Sequence, residues 1–91
     1  LEEILDNQVG VLESAVIGVP HTDFGETPIA VIVQEAEMAP DLEVISSNLS
    51  RSIARYKHPK KIIIVDELPR NTMGKVQKNV LRNEYKELFT N

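Results

Sequence analysis

Apolar residues recur along this chain with two different periods, and the change of period separates strands from helices. The segment Val11 to Val19 is rich in Val and Ile and ends at Pro20, and Thr27 to Gln34 repeats that character, so both read as strands. The link His21-Thr22-Asp23-Phe24-Gly25-Glu26 is short and turn-like, which predicts an antiparallel pair. From Pro40 onward the spacing becomes three and four. Leu42, Ile45, Leu49, Ile53 and Tyr56 then gather on one face of an amphipathic helix of about four turns, which Pro59 stops. Lys61-Ile62-Ile63-Ile64-Val65, bounded by Asp66-Glu67, reads as a short buried strand. Leu68 to Lys75 carries Pro, Asn and Gly and reads as a loop. Val80, Leu81, Tyr85, Leu88 and Phe89 return to helical spacing, so a terminal helix is expected over Val76 to Phe89. Residues 1–8 put Ile4 and Leu5 among acids with no recognisable cap, as in a chain cut inside or just before a helix. The sum is an α+β fold, a small and mainly antiparallel sheet with packed helices.

The 91 residues suffice for one compact domain and leave no room for a second. The absence of cysteine removes disulfides, thiolate nucleophiles and Cys-ligated zinc together. No apolar run approaches the ~20 residues of a membrane span, and Leu-Glu-Glu-Ile-Leu-Asp at the start lacks a positively charged targeting region. A cytoplasmic protein without membrane partners is the expectation. Charge is distributed unevenly: residues 1–43 hold ten acids and no Lys or Arg, whereas residues 44–91 hold all ten Lys and Arg with four acids. Either the basic half meets an anionic ligand or the halves neutralise one another across the folded domain, and the second is favoured before any motif is considered. An aromatic content of 4% and a net charge of −4 argue against nucleic acid as a partner. His21 and His58 have no neighbouring ligand at metal-binding spacing, and no metal site is expected in this chain.

Chemistry concentrates in the loop. Pro69 stiffens its entry and Gly74 permits a backbone conformation that a side chain would obstruct, so Lys75 would be projected from a defined turn. A lysine is a compact charge with three donors, suited to oxygens whose negative charge grows during phosphoryl or nucleotidyl transfer. Taken alone, most lysines in such loops are simply solvated.

A longer pattern changes that balance. The run Glu67-Leu68-Pro69-Arg70-Asn71-Thr72-Met73-Gly74-Lys75-Val76-Gln77-Lys78-Asn79-Val80-Leu81-Arg82 resembles the C-terminal signature of the adenylate-forming superfamily, which includes acyl-CoA synthetases, peptide-synthetase adenylation domains and luciferases. Glu13-Ser14-Ala15-Val16-Ile17-Gly18-Val19-Pro20, Asp23-Phe24-Gly25-Glu26, Tyr56-Lys57-His58-Pro59 and Ile64-Val65-Asp66-Glu67-Leu68-Pro69 fall in that family's order and spacing, so the likeness covers nearly the whole chain. The wording from Pro69 to Lys78 is most similar to the malonyl-CoA synthetases. Lys78 stands where the family more often has Arg, and Asn71 where Thr is common; both read as variation within a subfamily. No chemical role is assigned to Gly25-Glu26 beyond a turn with a fixed acid.

The resemblance implies that residues 1–91 are the small C-terminal lid domain of a carboxylate–CoA ligase, lacking the hinge and the large N-terminal domain. Such enzymes form an acyl-adenylate from acid and ATP, then pass the acyl group to CoA. Lys75 occupies the place of the catalytic lysine that bridges the carboxylate and the α-phosphate, and Gly74 supports its loop. ATP with its Mg²⁺ and the acid, malonate or a related short-chain acid, would be held mainly by the large domain, so the isolated chain is expected to show no turnover. Between Val44 and Val65 there are no acids but five basic residues, Arg51, Arg55, Lys57, Lys60 and Lys61. The family places CoA near this region, which makes Arg51 and Arg55 candidate contacts for its phosphates; a solvated helix face is an equal reading. In related synthetases the lysine is also a target of reversible acetylation, so a protein acetyltransferase and a deacetylase are candidate partners.

Overall fold

The structure is a computed structural model that describes residues 2–52 and 58–90. In chain order the elements are α1 (Glu2–Asp6), β1 (Val11–His21), β2 (Gly25–Gln34), α2 (Leu42–Ser52), β3 (Ile62–Val65) and α3 (Lys78–Tyr85). The first two strands pair antiparallel from Val11↔Gln34 to His21↔Gly25. Gly25, at φ +77°, lets the chain re-enter the sheet after the turn. β3 then runs parallel to β2, from Ala30↔Ile62 to Val33↔Val65, because α2 carries the chain back along the sheet before it pairs. The sheet is therefore mixed, in the order β1-β2-β3, with the long antiparallel pair as its larger part.

Position in the sheet decides burial. Central β2 is buried continuously from Ile29 to Val33, and its side chains alternate between two cores. Ala30 and Ile32 pack with Leu5 of α1 and with Ile45 and Leu49 of α2. Ile29, Val31 and Val33 pack with Ala15, Ile17, Val19, Leu68 and with Leu81 of α3. β3, by contrast, is not the buried strand that its unbroken apolar run predicts: Ile62, Ile63 and Val65 are half-buried and Ile64 is exposed. A strand at the sheet's edge has one neighbour, so the same composition is left partly open.

A bulge at the start of β1 has a functional consequence. The register shifts between Val11 and Glu13, which adds Leu12 to the strand and inverts the alternation of faces. Val11 packs on the α1/α2 side, whereas Ala15, Ile17 and Val19 pack on the side of Leu68 and α3. Glu13 is thereby turned toward the segment that carries Lys75.

Of the two longer helices, one starts where its spacing announces it and the other is shorter than expected. α2 begins at Leu42 because the Oδ1 atom of Asp41 accepts the Glu43 and Val44 N–H groups at 3.0 and 3.2 Å. Its expected continuation through Ile53 and Tyr56 lies outside the described residues. α3 is shorter at both ends than Val76 to Phe89. Val76 is drawn into a β-bridge with Arg70, and Phe89 into one with His21. Leu88 and Phe89 still pack on the core, so their spacing marks burial without marking helix.

Candidate functional site

Lys75 sits on a miniature hairpin whose backbone is closed from several sides. Leu68 is buried and fixes the entry. The Gln77 N–H donates to the Pro69 carbonyl at 2.8 Å, and Arg70 bridges Val76. Within the loop the Asn71 N–H donates to the Lys75 carbonyl and the Gly74 N–H to the Asn71 carbonyl, both at 3.0 Å. The Asn71 side-chain oxygen accepts the N–H groups of Met73 and Lys75 at 2.9 and 3.0 Å. Asparagine can do this because its short carboxamide imitates a backbone carbonyl. Gly74 lies at φ +83° with open space where a Cβ would stand, so torsion and not room demands glycine there. Lys75 is exposed, and its ammonium has no ion pair or hydrogen bond among the described residues.

Two side chains beyond the loop complete it. Arg70 donates from Nη1 to the Gly74 carbonyl at 2.7 Å and from Nη2 to the Glu13 carboxylate on β1. Lys78, at the start of α3, lies 2.9 Å from a Glu2 carboxylate oxygen that also accepts the Val16 N–H at 2.6 Å. Burial alone would raise the Glu2 carboxyl; the hydrogen bonds from Lys78 and Val16 and the lysine's charge outweigh it and hold the group below its ordinary 4.5. Both ion pairs join the acidic half of the chain to the basic half, in line with mutual neutralisation. Sequence reasoning singled out Gly74 and Lys75, which the structure places on this turn, but not the contacts of Arg70 or the organising role of Asn71. An Asn three residues before a Gly is a usable turn signal. No spacing rule joins Arg70 to Glu13, 57 residues away.

A second surface lies at the other end of β1. A cleft of about 790 Å³ opens between α2 and β3, lined among others by Ser46, Ser50, His58, Lys60 and Lys61. The His58 ring is held beside the Ser46 carbonyl, 3.3 Å from Nε2, and the Pro59 carbonyl, 3.2 Å from Nδ1. Lys60 places its ammonium 5.3 Å from the centre of the Phe24 ring. That ring is 63% exposed and stacks on His21 at 4.3 Å. His21 in turn accepts the Asp23 and Phe24 N–H groups at Nδ1, which fixes the turn. Arg51 is exposed in the last turn of α2, next in sequence to the cleft residue Ser50, and Arg55 lies outside the described residues. Gly25 shapes the turn, and the Glu26 carboxylate lies where a side chain on Gly18 would stand.

The α+β core that carries this turn is matched by known proteins in both sequence and fold. Residues 1–75 match the family of AMP-binding enzyme C-terminal domains, a match that ends on Lys75 itself. The chain belongs to that family. Among curated relatives, the long-chain-fatty-acid–CoA ligase FadD13 of Mycobacterium tuberculosis is 38% identical over 85 residues, 93% of this chain and 17% of that enzyme. Among solved structures, apo MatB from Rhodopseudomonas palustris superposes with a TM-score of 0.92 at 53% identity, covering 98% of this chain and 18% of that one. ATP-bound MatB gives 0.93 at 52% identity over the same shares. This AMP-binding C-terminal domain thus spans less than a fifth of the length of the proteins it matches.

Proposed function

We propose that this domain serves an ATP-dependent carboxylate–CoA ligase acting on malonate or a related short-chain acid, and that Lys75 is its adenylation lysine. The observation that carries the reading is the free ammonium of Lys75 on a turn closed by Asn71 and Gly74. A charge delivered from a fixed turn stabilises the transition state in which the carboxylate attacks the α-phosphate, with little reorganisation at the moment of reaction. The malonate assignment is supported by the signature from Pro69 to Lys78 and by the 53% identity to MatB. The ligase relatives favour CoA as acceptor over a peptide-synthetase carrier.

Thioester formation would use the other surface. Lys60 and Lys61 supply charge for the phosphates of CoA, and the exposed Phe24, backed by His21, offers an aromatic contact to its adenine once Lys60 turns to a phosphate. Arg51, on α2, and Arg55 remain the further candidates. Among the described residues no cluster of three or more His, Asp or Glu could hold a metal, so Mg²⁺ is assigned, with ATP and the acid, to the large domain that this reading requires. The described helices include none long and apolar enough to cross a membrane, and a cytoplasmic enzyme is the setting proposed. The exposure of Lys75 favours a second, compatible reading, in which an acetyltransferase removes its charge and a deacetylase restores it.

The deciding experiment compares half-reactions in the full-length ligase. Lys75→Ala should slow adenylate formation by roughly 10²–10³, equivalent to ~2.7–4 kcal/mol, while a supplied acyl-adenylate is still converted to thioester. Equal loss of both steps would point to a damaged fold, and loss of neither would make Lys75 a solvated surface lysine.

A further inference from the structure

Arg70 grips the peptide unit that carries Lys75. The Gly74–Lys75 peptide is held at both of its polar ends: its carbonyl accepts from Arg70 Nη1 at 2.7 Å, and its N–H donates to the Asn71 side chain at 3.0 Å. Fixing both ends fixes the plane of that peptide, and with it the direction in which the Lys75 side chain leaves the backbone. Asn71 belongs to the loop and moves with it. Arg70 also reaches out of the loop, to the carboxylate of Glu13 on β1. Glu13 is available on this side only because the bulge at Leu12 inverts the strand's alternation. The sheet, the arginine and the reactive loop are therefore in series.

We infer that Arg70 is a positioning residue for the adenylation step, acting as a two-armed clamp that refers the Lys75 turn to the β1 strand through Glu13. The inference rests on the assignment of Lys75 given above. The forked side chain presents a separate nitrogen to each acceptor, whereas the single ammonium nitrogen of a lysine cannot stand at both positions. The ion pair contributes little to global stability, because the side chains of Arg70 and Glu13 are 42% and 30% exposed. Its value lies in geometry, where a displacement of about 1 Å can cost as much as 10²-fold in rate.

The test uses the full-length ligase and its two half-reactions. Arg70→Met should slow adenylation by roughly 10- to 100-fold at unchanged KM for acid and ATP, leaving conversion of a supplied acyl-adenylate unchanged. Arg70→Lys, able to reach one acceptor at a time, should fall between Arg70→Met and wild type. Glu13→Ala should slow adenylation less than Arg70→Met, and adding it to Arg70→Met should cost nothing further, since the two act as one device. Wild-type adenylation by Arg70→Met, or an equal fall in both half-reactions, would overturn the inference. Lys75→Ala run alongside keeps the two readings apart: if it leaves adenylation intact, the assignment of Lys75 fails; if it abolishes adenylation while Arg70→Met does not, only the clamp fails.

Discussion

Gly74 shows how much of the site depends on one torsion angle. At φ +83° an L-residue is strained by about 1–2 kcal/mol, yet nothing surrounds the position, so alanine would meet no clash. The loop can relieve this strain by opening locally without disturbing Leu68 or the core beneath it. Gly74→Ala is therefore expected to lower adenylation by about 5- to 30-fold, the population ratio that such a penalty sets, with the unfolding midpoint nearly unchanged. Rapid-quench measurement of adenylate formation beside a thermal melt checks both parts; full activity would show that the positive φ is dispensable. At this scale the sequence was only partly legible. Gly74 and Lys75 announce themselves through residue type and signature. Asn71 looked like subfamily variation because its contribution is a pair of hydrogen bonds to its own loop. Arg70 was silent because its partner lies on a distant strand.

Among the elements, α1, β1 and α3 meet at one carboxylate. Glu2 of α1 accepts the Val16 N–H of β1 and the ammonium of Lys78 at the start of α3. Lys78 needs only a point charge for this contact. The Glu2 carboxyl titrates below its ordinary 4.5 in the folded chain. Its contribution to stability is thus fully present above that ordinary value and is lost as pH falls through the lowered one. Glu2→Gln removes this contribution. The gap in melting temperature between wild type and Glu2→Gln should be widest near neutral pH and close on acidification below 4.5. A gap that does not change with pH would mean that Glu2 acts by packing alone. The elements themselves were legible where burial and local geometry agree, as in β1 and β2. The extent of α3 was misread because apolar spacing at Leu88 and Phe89 serves burial outside regular structure, whereas β3 was read correctly as a strand and only its burial was overestimated, since it sits on a sheet edge.

On the scale of the molecule, the two candidate surfaces stand at opposite ends of β1. Glu13 holds the Lys75 turn, and His21, eight residues on, supports Phe24 and Lys60. At about 3.4 Å per residue the strand separates them by roughly 27 Å. A single bound acyl group cannot touch both, so a domain that serves both half-reactions must present its ends in turn, as the proposed reading requires. The family could be read from the chain, and so could the basic run that holds Lys60 and Lys61, but the cleft itself could not, since it is assembled from α2, His58 and β3 and its aromatic neighbour comes from the β1–β2 turn. The separation makes a prediction reciprocal to that for Lys75. In the full-length ligase, Phe24→Ala and Lys60→Ala should each raise the KM for CoA and slow thioester formation by about 5- to 150-fold, the loss of a ~1–3 kcal/mol stacking or charge contact. Adenylation should be untouched, because the altered atoms stand a strand's length from the loop to which that step is assigned in the proposal. If either variant slowed adenylation as much as thioester formation, the two ends would not act independently, and the assignment of CoA to the Lys60 cleft would have to be abandoned.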